Sequence, residues 1–285
     1  MIQSMTGFGK HTIQLPTKKI TVELKSLNSK SIDLNARIPG AYREKELSMR
    51  NTIANELKRG KVDFGLYIEI TAEETSTQVN EAIVKQYIQQ LKNVVDGDEV
   101  ELLKMAVRMP DALKTEREEI DEEEFAKVEM ALEEALKAIV EFRTEEGHAL
   151  TREFELRIKN ISDLLEEIKV IDPERTSMIR ERLEKAVSEV KEKVDEDRFE
   201  QELIFYLEKY DITEEKVRLA NHLSYFTETL NTDDSNGRKL GFICQEIGRE
   251  INTMGSKSNY APMQKVVVQM KDELEKIKEQ VLNVL

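Results

Sequence analysis

The sequence predicts an α+β protein: a small strand-rich unit followed by a long helical part. Three observations carry this. Apolar residues alternate with polar ones through much of residues 2–38 and again over 62–70. From about residue 121 they recur instead at the helical spacing of three and four. Among 285 residues there are 11 Gly, 5 Pro and no Trp, too few turn formers and aromatics for an all-β sandwich, while a 39% hydrophobic content is too high for disorder.

Each element follows in order. Ile20, Val22 and Leu24 mark a strand, "QLPTKK" a hairpin turn before it, "NSKS" a second turn, and Ile32, Leu34 and Ala36 another strand. Residues 42–58 change to a helical period through Leu47, Ile53, Ala54 and Leu57, with Gly60 as the expected C-cap. Val62, Phe64, Leu66, Ile68 and Ile70 return to period two. Helices are expected at about 80–95 and 99–107. The stripe Phe125, Val128, Leu132, Ala135, Ile139 and Phe142 then opens a helix running toward 170, long enough to suggest a coiled-coil arm. Asp172 and Pro173 read as the N-cap and first position of a new helix over 173–194. Further helices are expected at 199–210, 213–230, 238–254 and 261–283. The chain divides into an α+β domain (1–115), an acidic helical arm (116–198) and a C-terminal helical domain (199–285).

Composition narrows the function. No apolar run approaches the roughly 20 residues of a membrane span. The single cysteine, Cys244, excludes an intrachain disulfide and a cysteine-based zinc cluster, and three histidines exclude a His-rich metal site. The expectation is a cytoplasmic protein with no membrane partner and no small-molecule cofactor. The net charge of −14 argues against a polyanionic partner, but its distribution does not. Residues 1–71 carry a net +5, 72–199 a net −15, and 235–271 a net +4. The excess acid lies in the middle of the chain, which leaves both ends open to a polyanion.

The most informative stretch is 237–257, "GRKLGFICQEIGREINTMGSK". At 100° per residue, Leu240, Ile243, Cys244, Ile247, Ile251 and Met254 share one arc, the core face. Gln245, Arg249, Phe242, Thr253, Glu246 and Glu250 lie opposite. Glu246 and Glu250 are an i,i+4 pair whose carboxylates can converge on one cation, with Arg249 beside them. Phe242 is an aromatic on the polar face, where a base or a neighbouring subunit could stack. Gly255 is expected to end the helix and place Lys257 in a loop. His222, in "KVRLANHLSYFTETL", flanks the stripe Leu219, Leu223, Phe226 and Leu230, where a histidine is more often a packing residue than a catalyst. Arg59 and Lys61 in "KRGK", with Lys25 and Arg37 nearby in sequence, can serve as phosphate contacts, as can Arg238 and Lys257. The set Glu141, Glu145 and His148 is a weaker metal candidate, because acids are common throughout that segment. There is no P-loop, G-x-S-x-G or H-E-x-x-H motif.

Read together, "MTGFG", "ELKSLNSKSIDLNAR", "YREKELSMR", "RGKVDF", "EFRTEEGHAL", "RLANHLSYF" and the closing "GRKLGFICQEIGREINTMGSKSNY" resemble, in order and over essentially the whole chain, the bacterial YicC-like (YloC-like) family. The resemblance implies an endoribonuclease that acts in RNA turnover as a ring-like homo-oligomer, a hexamer. Lys25 stands where that family commonly has Arg, which keeps the charge but loses the bidentate fork. Of two routes to RNA cleavage, a 2′-hydroxyl attack needs a base and an acid, for which His222 supplies one member. Hydrolysis assisted by Mg²⁺ or Mn²⁺ suits Glu246 and Glu250 better, with Arg249 stabilising phosphorane charge and His222 assisting proton transfer. The rivals are a non-catalytic oligomeric RNA-binding or RNA-decay adaptor and a purely structural assembly.

Overall fold

The computed structural model describes residues 2–71, 77–115, 121–189, 196–232 and 237–285. It is α+β, as the periodicities predict. Strands β1 (Gly7–Gln14), β2 (Lys18–Leu27) and β3 (Ile32–Arg37) are followed by a 3-10 turn at Gly40–Lys45, helix α1 (Glu46–Leu57) and strand β4 (Gly60–Ile70). The sheet order is β1-β2-β4-β3, with β3 parallel to β4 and the other pairs antiparallel. The hairpin turn is closed by Leu15 N–H donating to Lys18 O at 2.7 Å. Register places Val22 opposite Leu66 and Leu24 opposite Phe64, so one face of the sheet is a continuous apolar layer, covered by Met49, Ile53 and Leu57 of α1. The expected cap at Gly60 is displaced. Lys58 takes φ +55 after α1, with Arg59 N–H donating to Leu57 O at 2.5 Å, a tight γ-turn that a side chain adopts at some cost. Gly60, at φ +125, is already the first residue of β4.

Between residues 77 and 115 lies a small unit: β5 (Thr77–Val79), α2 (Glu81–Lys92), α3 (Glu99–Ala106) and β6 (Leu113–Thr115), with β5 and β6 antiparallel around Val84, Ala106 and Ala112. The two short strands escape the sequence reading because three residues carry no period.

Helix α4 (Glu122–Glu189) is a single helix of 68 residues, about 100 Å long. The break expected at Asp172-Pro173 does not occur. Pro173 gives up one backbone hydrogen bond, and tertiary contacts hold the helix through it. The Asp172 carboxylate accepts from Arg175 Nε (2.8 Å) and from Lys216 Nζ (2.7 Å), and Thr176 Oγ1 donates to Asp172 O (3.0 Å). Residues 190–194, the expected end of the 173–194 helix, lie outside the described residues. The stripe Phe125, Val128, Leu132, Ala135 and Ile139, read as a coiled-coil seam, is buried against the sheet instead. Phe142 leaves that stripe, 45% exposed, and Arg143 turns inward in its place, 2% exposed. Gly9 permits the contact of β1 with α4: a Cβ there would lie 2.2 Å from Ala135 O.

The second half of α4 (Phe154, Ile158, Ile161, Leu165, Ile168) packs in another core with α6 (Thr213–Leu230), α7 (Gly237–Lys257) and α8 (Ala261–Val281), while α5 (Glu196–Lys209) precedes α6. The two ends of the chain are tied together: Met5 N–H donates to Asn283 O (2.7 Å) and Leu285 N–H to Gln3 O (2.9 Å). No described helix is long and apolar enough to cross a membrane.

Glu273 on α8 clasps α4. Burial pushes its carboxyl up, but hydrogen bonds from Lys276, from Asn160 and from Arg157 outweigh that and hold it down at about 2. The folded value lies below the unfolded one, so this contribution is present above about pH 4.5 and is lost as pH falls toward 2. Glu273→Gln is expected to lower stability at pH 7 by about 1–2 kcal/mol and to leave the variant and wild type nearly equal near pH 2. Urea titrations of both proteins at several pH values measure the gap, and a gap independent of pH would contradict the assignment.

Candidate metal centre on α6 and α7

Helix α7 presents the faces its sequence predicts. Leu240, Ile243, Cys244, Ile247, Ile251 and Met254 are all buried. Burial pushes the Cys244 thiol up to about 12, so it offers neither a thiolate nucleophile nor a ready metal ligand. Helix α6 buries Leu219, Leu223, Phe226 and Leu230 and leaves His222 half-buried at its flank. These two stripes fix the rotation of both helices, which lie side by side.

The result is a convergence. One ligand atom each from His222, Glu246 and Glu250 lies within 4.8 Å of the others. Among the described residues this is the set of His, Cys, Asp and Glu side chains close enough to share one ion. Glu141, Glu145 and His148 are not brought together in this way. Glu246 is exposed at the rim, while Glu250, expected on the solvent face, is only 5% exposed. It sits at the edge of the polar arc, turned toward α6. Among the described residues no side chain donates to Glu250, and a buried carboxylate without a cationic partner is costly. An imidazole and two carboxylates form a suitable donor set for a divalent cation such as Mn²⁺ or Mg²⁺, and the buried carboxylate supplies the charge that would hold it. Arg249, on the outer side of the helix, reaches Glu246 at 4.0 Å and is largely exposed.

The remaining expected contacts are scattered. Helix α7 continues through Gly255, whose missing Cβ lets it approach Val267 of α8, and ends at Lys257. Lys257 is therefore not in a loop. Its ammonium pairs with the buried Glu215 at 2.7 Å and donates to Asp211 O at 2.9 Å, clamping the start of α6. Arg59 Nε donates to Ser29 O at 2.8 Å. Lys25, Arg37 and Lys61 are exposed on the sheet unit, with the Lys25 ammonium 3.6 Å from Glu23 and 5.7 Å from the centre of the Phe8 ring. Arg238 is exposed in the first turn of α7.

Two features leave no signal in the sequence. Lys239 lies 4.8 Å over the ring of Tyr225, one turn along α6 from His222, a cross-helix contact no single-helix pattern reveals. Arg143 was hidden within an apolar stripe.

Two family models match the chain: "Endoribonuclease YicC-like, N-terminal region" over residues 2–152 and "Endoribonuclease YicC-like, C-terminal" over 168–285. The chain is 35% identical over 293 residues to a protein of Clostridioides difficile (strain 630) named probable endoribonuclease YicC, with all of both chains covered. It is 28% identical over 286 residues to a Haemophilus influenzae protein of the same name, with 99% of each covered.

Proposed function

The chain belongs to the YicC-like endoribonuclease family, and on that premise we propose that it hydrolyses internal phosphodiester bonds of RNA with the help of a divalent cation. The observation that carries this reading is the convergence of His222, Glu246 and Glu250, with a buried carboxylate that no described side chain neutralises. Glu246, Glu250 and His222 would hold the ion. When bound, such an ion supplies a Lewis acid and lowers the pKa of water. The chain's own groups do the rest. Arg249, exposed beside Glu246, offers planar donors to the charge that develops on the phosphorus oxygens. Glu246, at the rim, offers its second carboxylate oxygen to orient a water, with His222 beside it to assist the proton transfer.

RNA is held through the two basic segments of an otherwise acidic chain. Lys25, Arg37 and Lys61 on the sheet unit and Arg238 on α7 act as phosphate contacts, with no base preference of their own. Arg59 and Lys257 contribute positive charge while holding internal partners. A ring-like homo-oligomer in the cytoplasm, a hexamer, would line one path with these patches and so give RNA a locally positive route despite the net charge of −14 per chain. The stripe from Phe125 to Ile139 is not free for that assembly, since it is covered within the chain. Exposed Val79, Val94, Leu103 and Met105 of the 77–115 unit are the surface that subunits could cover.

The test is to incubate the purified protein with an end-labelled RNA, with Mn²⁺, with Mg²⁺ and with excess EDTA, and to map the ends formed. Internal cleavage that requires the cation supports the reading, and undiminished cleavage in EDTA opposes it. The basic contacts have their own readout. Arg37→Ala with Lys61→Ala is expected to weaken RNA binding across sequences and to reduce the slope of log affinity against log salt by roughly one unit per lost contact. An unchanged slope would remove both residues from the RNA path.

A further inference from the structure

We infer that the cavity between α4 and the end of α5 binds a compact organic monocarboxylate, whose carboxylate takes the free edge of the buried Arg175 guanidinium. The site does not depend on the endoribonuclease reading, and none of His222, Glu246 and Glu250 lines it.

Arg175 is only 3% exposed, deep enough that each of its donors needs a partner. One edge of the guanidinium has one: Nε and Nη2 reach the same oxygen of Asp172, at 2.8 and 2.7 Å. Nη1, on the other edge, is buried and has no partner among the described residues. The charge is unbalanced as well. Lys216 Nζ takes the second oxygen of Asp172 at 2.7 Å, so two cations share one carboxylate. The neighbouring acids are committed elsewhere, Glu215 to Lys257 at 2.7 Å and Glu174 to the Tyr260 hydroxyl. The group of Asp172, Arg175 and Lys216 therefore keeps one positive charge and one open donor, the combination that an anion satisfies with a charge-assisted hydrogen bond.

Arg175 lines a cavity of about 280 Å³ and is its buried floor. Pockets for drug-sized ligands begin at roughly 300 Å³, so the occupant is compact. Ile179 of α4 and Leu207 of α5, both half-buried, give the cavity apolar walls, and the Tyr210 ring, stacked on Tyr206 at 6.2 Å, closes one side. Thr176 Oγ1 already donates to Asp172 O, so Arg175 is left as the donor for an incoming anion. The mouth is acidic. Glu208 and Asp211 are exposed there, and hydrogen bonds from Thr213 hold the Asp211 carboxyl below its ordinary value, so it is ionised at neutral pH. Two carboxylates at the entrance repel a second negative charge on the ligand. A cation at the floor, apolar walls and an acidic mouth together select one carboxylate on a small apolar body over a phosphate, a sulfate or a polyanion.

The experiment uses the full-length protein with ¹³C-labelled isoleucine methyl groups, the Ile179 signal being identified from the spectrum of Ile179→Val. Butyrate, acetate, the neutral butyramide and the divalent sulfate are titrated at constant ionic strength while the Ile179 methyl is followed. Butyrate is expected to shift that signal saturably, with an affinity of about 1 mM. Acetate, which lacks the apolar body, should bind more weakly, and butyramide and sulfate should bind more weakly by on the order of tenfold. Arg175→Lys keeps a cation for Asp172 but gives up the second edge of the fork, and should weaken butyrate binding by on the order of tenfold. Glu208→Gln, at an exposed position, should narrow the preference for butyrate over sulfate. Butyrate should also raise the unfolding temperature of the wild type and leave that of Arg175→Lys unchanged. A shift that does not saturate, an equal response to butyrate and butyramide, sulfate binding as tight as butyrate, or unaltered butyrate binding in folded Arg175→Lys would overturn the site. The comparisons of butyrate with butyramide and with sulfate use the wild-type chain, so they decide the question even where Arg175→Lys does not fold.

Discussion

Glu246→Gln is expected to reduce RNA cleavage by on the order of a hundredfold or more while leaving the fold and RNA affinity nearly intact. The substitution keeps the size of the side chain and removes its charge. Glu246 is at the rim and makes one long contact, to Arg249 at 4.0 Å, so little packing is at stake. Glu250→Gln should have a comparable effect on activity with an opposite effect on stability. Glu250 as a residue is 5% exposed and forms no ion pair with a Lys or Arg among the described residues, so removing its charge relieves crowding of negative charge beside Glu246 in the metal-free protein. His222→Ala should weaken Mn²⁺ binding by removing the third donor, with Leu219 and Leu223 keeping α6 in place. Activity, isothermal titration with Mn²⁺ and thermal unfolding, run on the three variants, separate these effects. Wild-type activity in Glu246→Gln would leave the carboxylates with a structural part only. It would then favour either 2′-hydroxyl attack with His222 or an adaptor that does not cleave.

The largest stability effect is expected at Arg143. Its guanidinium is 2% exposed and has no carboxylate partner among the described residues. It donates instead to neutral acceptors: Ser26 Oγ (2.9 Å), Leu57 O (3.2 Å), Met5 O (3.2 Å) and Arg59 O (3.3 Å). One side chain of α4 thus ties together the N-terminal segment, the end of β2, the end of α1 and the strained turn before β4. Burial lowers the pKa of this guanidinium from its ordinary value, yet an arginine stays charged. Arg143→Met keeps the apolar stem and removes the fork's donors from Ser26 Oγ and Arg59 O, while Leu57 O keeps the Arg59 N–H and Met5 O keeps the Ser26 hydroxyl, at a cost of about 3 kcal/mol. Arg143→Lys keeps the charge but cannot reach several acceptors from one planar fork, and should recover only part of the loss. Chemical denaturation of both variants measures this. A loss under 1 kcal/mol in Arg143→Met would show that water or neighbouring groups replace the fork.

The amount legible in the sequence differs from element to element for identifiable reasons. Strands β2 and β4 and the faces of α6 and α7 are strongly amphipathic, and a period carried over many residues is a local signal. The arc of Leu240, Ile243, Cys244, Ile247, Ile251 and Met254 is therefore buried as expected, residue for residue. Strands β5 and β6 are too short to show a period. The cap after α1 fell on Lys58 rather than Gly60 because β4 begins at Gly60 and the chain must turn before it. The Asp172-Pro173 boundary failed for a different reason. The dipeptide favours a helix start locally, but Lys216 and Arg175 bind the Asp172 carboxylate in a way that favours one continuous helix.

The site shows the same division. The i,i+4 spacing of Glu246 and Glu250 was visible because it belongs to one helix, and so was the likeness of the whole chain to its family. The sequence by itself determined the class of fold, the core faces of the helices and the carboxylate pair, since each depends on neighbours within a turn or a strand. Only the tertiary structure decided that His222 completes the pair, that Glu250 is buried and Glu246 exposed, that Lys257 is committed to Glu215, and that Arg143 lies inside the protein. Each of these depends on how two elements far apart in the chain are rotated against one another, and that rotation is set by the burial of their apolar stripes together.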